Sequence, residues 1–328
     1  MHRHAPLLVL AAALVAAGAV STLLTPASQL PAPERPLAGY GNPAVRLEAA
    51  SYPRHATGTD EVRTTIEAPP RRFVSQSWSS DEFLYSIVPP ERVVGVSDRA
   101  YQERFSNVHE LASQYQPVIA LDPERALRLE PDLVLTPAEA RSEVPALLRA
   151  AGVPVYRIVT MFPTLASIEA HIRLVGYLTG EDARAESELR RFQDAVQRAV
   201  ARRPPGASSP RVMGFGGAYS YGSDTLFHDI LRVLGAENVS ATHGFVGYDR
   251  VTDEHIVRWN PDWIVAGADP GQEAQVRARL LASPAIAATT AAARGQIVVL
   301  ENHVFLPLSP FTTQLVEALS VALYGGAS

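Results

Sequence analysis

Two residue types are missing from this 328-residue chain, cysteine and lysine. Without cysteine there is no disulfide, no thiolate nucleophile, no cysteine-ligated zinc or iron-sulfur cluster, and no acylated cysteine to hold a lipoprotein to a membrane. Without lysine, all 29 basic residues are arginine, which excludes a P-loop lysine, a pyridoxal Schiff base and a kinase-type lysine. A positive field is lacking too. Against 34 acidic residues the formal charge is −5, so the phosphate contacts that supply most nucleic-acid affinity have no source, and no nucleic-acid partner is expected. Charged residues make up 19% and hydrophobic residues 47%, a composition that folds, and the length admits two domains of about 150 residues each.

The chain opens with Arg3 followed by an Ala, Leu and Val run to Leu24. This reads as a secretion signal over residues 1–27, either cleaved near Ala27 or retained as an anchor. The remainder is then expected in the periplasm or another extracytoplasmic space, and not as a lipoprotein. Residues 28–60 carry Pro31, Pro33, Pro36, Pro43 and Pro53 without periodicity and read as a linker. The alternation Val62, Thr64, Ile66 predicts a short strand, placing the start of the folded body near Glu61.

Within the body, short apolar runs alternate with amphipathic stretches. Phe73-Val74, Arg92 to Val96, Leu133 to Leu135, Val155 to Val159, Arg211 to Phe215, Ile264 to Ala266 and Ile297 to Leu300 read as strands, with helical patterns between them, which is the signature of an α/β fold. Glu181 to Arg203 holds no Gly or Pro and spaces Leu189, Phe192, Val196 and Val200 at three or four residues. It predicts one helix of about 35 Å, stopped by Pro204 and Pro205. The expected organisation is an N-terminal lobe over 61–180, a connecting helix over 181–205 and a C-terminal lobe over 206–328.

An internal repeat supports two similar lobes. Glu124 to Leu135 aligns with Glu254 to Val265 at a constant offset: Glu, Arg, Pro and Asp coincide, and apolar positions stay apolar. Each copy reads as a short helix, a Pro-Asp turn and a buried strand. Ser80-Asp81 before Phe83, Leu84 and Ile87 resembles Ser223-Asp224 before Leu226, Phe227 and Ile230, each pair read as the cap that opens a helix. Two α/β lobes leave a cleft where small ligands bind. The loops after the first strand of each lobe, with Ser77 and Trp78 in one half and Tyr219 and Tyr221 in the other, are expected to line it with aromatic side chains bearing polar tips.

The stretch Arg72 to Leu84, followed by Glu91 to Ser97, resembles the N-lobe opening of bacterial vitamin B12 and iron-siderophore binding proteins, the solute-binding components of ABC transporters. The Pro-Asp-Leu-Val run at Pro131 to Val134 and the Gly235, Ala236, Glu237, Asn238 element extend the resemblance from about Thr59 to Tyr324. It implies two α/β lobes flanking one long helix, with an iron-siderophore, corrinoid or haem-like ligand between them. It also implies that Tyr101, Tyr248 and Phe305 lie in cleft-lining segments. His303, beside Phe305, is expected to face the cleft, and Arg99, Arg250 and the tyrosines to serve an anionic ligand edge, which arginine's planar fork suits. Trp78 stands where relatives of that family often carry proline, and Trp259 and Trp263 fall in an apolar helix-strand unit that reads as core. Asp122 and Thr252 read as N-caps that place Glu124 and Glu254 in exposed first helical turns. The resemblance implies that these glutamates dock onto arginines of two membrane-permease subunits.

Other classes find less support. A bare metal-ion binder needs several converging ligands, and His109, His171, His243 and His303 form no i, i+4 pair and no HExxH. An exported hydrolase of the Ser-His-Asp type would need a Gly-x-Ser-x-Gly elbow, which does not occur. Gly214, Phe215, Gly216, Gly217 fails the dinucleotide pattern because Tyr219 occupies the third glycine position. A two-lobed exported sensor would share every feature above and differ only in its partner. The expectation is therefore a monomeric non-enzyme with no catalytic residue, no resident cofactor and no metal of its own; iron or cobalt would arrive within the ligand.

Overall fold

The computed structural model describes residues 51–113, 122–305 and 307–325; the predicted signal and most of the predicted linker lie outside them. Folded structure begins earlier than Glu61. Strand β1 (Arg54–Thr57) pairs antiparallel with β2 (Arg63–Ile66), so the end of the stretch read as linker is part of the body. The reason is a charge that composition alone does not reveal. Arg54 is 4% exposed, ion-paired with Asp182 at 2.7 Å, bonded to the Tyr177 carbonyl and flanked by the rings of Tyr52 and Tyr177.

The first lobe is built on a four-stranded parallel sheet in the order β4 (Val93–Gly95), β3 (Phe73–Ser75), β5 (Leu133–Pro137), β6 (Val155–Ile158). Side chains alternate across it. Phe73, Leu133 and Leu135 point into the large central core, whereas Val74 and Val134 point to an outer core with Ala126, Val144 and Leu148. Covering both faces makes these strands near-continuous apolar runs, which is why they were readable. Helices α1 (Trp78–Ile87), α2 (Pro123–Arg128), α3 (Glu143–Ala150) and α4 (Leu165–Thr179) complete the lobe.

The second lobe repeats the plan on a six-stranded mixed sheet. Its path is β10 (Tyr248–Arg250), β8 (Tyr219–Tyr221), β7 (Arg211–Gly216), β11 (Trp263–Ala268), β12 (Ile297–Glu301), with β9 (Glu237–Asn238) also paired to β7. The β10-β8-β7 side is antiparallel and β7-β11-β12 parallel. Its helices include α6 (Leu226–Leu234), α7 (Asp253–Trp259), α8 (Glu273–Leu281), α9 (Asn302–Phe305) and α10 (Thr312–Tyr324).

Between the lobes runs α5 (Asp182–Val200), inside the predicted span. It buries Ala185, Leu189, Phe192 and Ala199. Val200, read as part of the buried stripe, is 39% exposed, because the helix turns its last apolar position past its neighbours. α5 is packed rather than free: Ser320 of α10 donates to the Ala199 carbonyl at 2.6 Å, and Arg202 forks onto Glu317. The central core runs continuously from Phe73 and Phe83 through Leu189 and Phe192 to Ile230 and Leu315, joining both lobes.

The internal repeat is a repeat of hydrogen bonds. Asp132 accepts from Arg71 and Arg72 backbone N–H groups, and Asp262 accepts from that of Arg211. The Arg72 side chain donates to the carbonyls of Leu129 and Glu130, as that of Arg211 does to Trp259 and Asn260. Glu130 and Asn260 both hold left-handed backbone at φ 47° and 43°. The second repeat needs correction at its caps. α1 is capped by the Ser77 hydroxyl, three residues before Ser80, and α6 by Thr225 rather than Ser223 or Asp224. Ser80 is bonded into the cap as its donor, and Asp81 turns inward to accept from Ser97.

Candidate functional site

The carboxyl ends of the two sheets meet. After β4 the chain forms a short 3-10 turn, Asp98–Tyr101, and a loop from which Arg104 reaches Asp269, just past β11, at 3.8 Å. Asn107 of the same loop donates to the His303 carbonyl in α9, just past β12, at 3.0 Å. The loops that follow the strands of one lobe thus face those of the other, where open α/β sheets bind ligands.

On the first lobe the wall alternates aromatic and guanidinium planes. The Arg99 guanidinium carbon lies 5.3 Å from the ring centroid of Trp78 and 5.4 Å from that of Phe105, and that of Arg104 lies 4.2 Å from the Phe105 centroid. Arg99 and Trp78 are half-buried, and Arg99 makes no ion pair among the described residues. A guanidinium held flat between rings keeps its N–H fork at the edge, where it can meet a carboxylate or another anionic oxygen. Tyr101 closes the same turn, half-buried. Burial pushes its phenol up to about 12, and the Asp81 carboxyl adds to the rise while Arg125 opposes it.

On the second lobe the hairpin β7-β8 and strand β10 carry the tyrosines. Tyr248 pairs with Tyr221 and Arg250 with Tyr219 across the strands. Tyr221 packs edge-on against Tyr248 and Phe305 and tilted against Phe227, with centroids 5.4 to 5.6 Å apart. The close approach requires glycine beneath it: a Cβ on Gly214 would stand 2.4 Å from the Tyr221 ring, and one on Gly267 would meet Asn302 at 2.3 Å and Phe305 at 2.7 Å. Tyr248 and Tyr219 are half-buried and Arg250 is exposed. Burial pushes the Tyr248 phenol up to about 12 and raises Tyr221 further. His303 is half-buried, with Nε2 3.3 Å from Glu301; its Nδ1 is buried and has no hydrogen-bond partner among the described residues.

Three residues expected to contact ligand carry the wall instead. The Ser77 hydroxyl is engaged by the cap, bonding Ser80 N at 3.3 Å and Ser80 Oγ at 2.7 Å. Tyr221 is 5% exposed and Phe305 1%, because each stacks on the aromatic cluster behind the surface. Trp78, Arg99, Tyr101, Tyr219, Tyr248, Arg250 and His303 remain on or near the accessible faces. Sequence reasoning missed Phe105, Arg104, Asn107 and Asp269. The alternation of Arg104 and Phe105 just past Tyr101 was the available signal, but a loop without periodicity gives no register from which to aim its side chains.

Glu124 and Glu254 occupy equivalent positions. Each is the second residue of its helix, after Asp122 and Thr252 caps that accept from Arg125 and His255 backbone N–H groups, and each is exposed. Beside Glu254 runs a groove of about 520 Å³ lined by Asp253, Glu254, Val257, Arg258, Pro284 and Ala285. Trp259, the core member of this unit, is 1% exposed and stacks with His243 and His255.

The remaining histidines have local roles. His171 is buried against Phe83 and Phe162 and its pKa is pushed down to about 3 by burial, while His109 and His243 face the carbonyls of Ser106 and Val239. Among the described residues, no group of three or more His, Asp or Glu side chains is placed to hold a metal ion. Nor is any helix among them long and apolar enough to cross a membrane.

Comparison with known proteins bears on the family and the fold. The family described as periplasmic binding protein matches residues 74–304. A cobalamin-binding protein of Halobacterium salinarum is 29% identical over 310 residues, covering 90% of this chain and 80% of its own. An uncharacterised ABC transporter substrate-binding lipoprotein of Bacillus subtilis is 26% identical over 246 residues, covering 70% and 76%. Among solved structures, the periplasmic heme-binding protein RhuT of Roseiflexus sp. RS-1 in apo form superposes with a TM-score of 0.67 at 25% identity, over 79% of this chain and 99% of that one.

Proposed function

The chain belongs to the periplasmic binding protein family, and from that premise we propose that it captures a large metal-bearing macrocycle, a corrinoid or a haem, between its lobes and delivers it to an ABC permease in the membrane. The observation that carries the reading is the pair of facing walls: Trp78, Arg99 and Phe105 on one lobe, Tyr248 and Arg250 on the other. Flat aromatic faces supply contact area to a macrocycle at little entropic cost, and the guanidinium forks suit carboxylate or amide oxygens on its edge. The relatives named for cobalamin and heme binding support the same ligand class. Iron or cobalt would belong to the cargo. Permease docking falls to Glu124 and Glu254. Their matched places on the two lobes give one acidic contact per permease subunit, and the helix N-terminus already favours the charge. Titration of the purified protein with cyanocobalamin and with haemin, followed by absorption and native mass, tests the ligand class. One coloured stoichiometric complex is expected, and binding of neither would remove the reading.

A further inference from the structure

Glu82 lies in α1, fully buried, and touches neither wall of the cleft, yet its carboxylate collects donors from both lobes. Oε1 accepts from the Asn107 backbone N–H at 2.7 Å and from Asn107 Nδ2 at 3.0 Å; Oε2 accepts from Ser309 Oγ at 2.5 Å. Among the described residues its two carboxyl oxygens meet three donors, from each of which they accept. The Asn107 amide spends its second hydrogen on the His303 carbonyl at 3.0 Å. Two acceptors on that nitrogen fix its orientation. Ser309 Oγ in turn accepts from the Phe311 backbone N–H at 3.2 Å. One turn earlier on α1, Ser79 Oγ donates to the Leu308 carbonyl at 2.5 Å.

These bonds bracket α9. His303 is held from one side through Asn107, and the segment just after Phe305 is held from the other through Leu308 and Ser309. α9 is only four residues long and has few internal backbone bonds with which to fix itself. Its position therefore depends on outside contacts, and the Glu82 group supplies buried ones.

We propose that Glu82 is a positioning residue for the cleft: through Asn107 and Ser309 it fixes the His303–Phe305 wall of the second lobe against the first, and so sets ligand affinity without touching ligand. This rests on the cleft being the ligand site. Replacing Glu82 by alanine leaves the Ser309 hydroxyl and the Asn107 amides without their acceptor in a buried place, where unmade hydrogen bonds are costly. Glu82→Gln keeps an oxygen for Asn107 and turns an N–H₂ toward Ser309 Oγ, which can accept it.

The experiment measures two quantities on the intact protein. Affinity is read by titration with cyanocobalamin and haemin. Lobe placement is read by electron-spin distance between nitroxides at Arg128→Cys and Val257→Cys, single labelling sites in a chain that has no other cysteine. E82A is expected to widen or shift the distance distribution and to weaken binding by about tenfold or more, whereas E82Q stays within about threefold of wild type. A folded E82A that binds as wild type overturns the inference, whatever its melting temperature. If E82A does not fold, N107A and S309A, which each remove one side of the junction, are read by the same criteria. If the wild type binds neither probe, the ligand reading fails; the distance measurement then decides the junction by itself, and an unchanged distribution in E82A overturns it.

Discussion

The ring of Tyr248 stands edge-on to that of Tyr221, centroids 5.4 Å apart at 79°. The two residues are strand partners of the same type with different surroundings: Tyr221 is 5% exposed within the aromatic cluster, while Tyr248 is half-buried. Alanine at Tyr248 should weaken ligand binding by about 1 kcal/mol or more with a small loss of stability. Alanine at Tyr221 should unfold the protein more readily, by about 3 kcal/mol, through the cavity left against Phe227 and Phe305. Isothermal titration beside denaturant melts separates the two. Equal effects of both changes on affinity and on stability would contradict this assignment.

Arg99 is expected to matter for its shape as well as its charge. R99K keeps the charge but loses the planar stacking on Trp78 and Phe105, so it should weaken binding nearly as much as R99A, by about tenfold. Full retention of affinity in R99K would mean that only a point charge is needed there.

Stability against pH tests the buried carboxyls. Burial raises Asp81 from 3.8 to about 7 and Glu82 from 4.5 to about 7, against hydrogen bonds that pull the other way. Each group binds its proton more tightly folded than unfolded. Its contribution is fully present below the unfolded pKa and is lost as pH rises toward about 7. His171, pushed down to about 3, has the opposite sign: unfolding takes up a proton below about 6.5, so its contribution is lost as pH falls. Two groups against one leave a net gain on acidification between about pH 6.5 and 4.5. The melting temperature of wild type should rise over that range from these groups, and D81N with E82Q together should reverse the trend. A double variant with the wild-type profile would contradict the assignment.

Much of the scaffold was legible because its strands are buried on both faces. Leu133 to Leu135 and Ile264 to Ala266 read as apolar runs for that reason, and Asp132 and Asp262 announced the repeat by standing at equal places in it. The caps before α2 and α7 were readable because a short oxygen-bearing side chain preceded each helix. Of the β1-β2 hairpin only β2 was readable, from the alternation Val62, Thr64, Ile66; β1 follows Pro53 without such alternation and is tied down by the buried charge of Arg54. Within the site, position after a strand pointed to Trp78 and Tyr219, and the family resemblance to Tyr248. It could not separate wall from backing, because the exposure of Ser77, Tyr221 and Phe305 depends on tertiary packing. The role of Glu82 was out of reach for the same reason: its partners Asn107 and Ser309 lie far along the chain.

The matched acids make a transport prediction. E124R and E254R should each leave ligand affinity intact and reduce uptake in a complemented strain, and the double reversal should reduce it most, since each lobe then repels its permease contact. Normal uptake with both reversed would leave only a helix-dipole role for them.

The most direct measurement is the absorption spectrum and native mass of the purified protein after incubation with cyanocobalamin or with haemin. A coloured, stoichiometric complex with one of these macrocycles is expected, formed with lower affinity by Y248A and R99A. A folded protein that keeps its apo mass and stays colourless with both would contradict it.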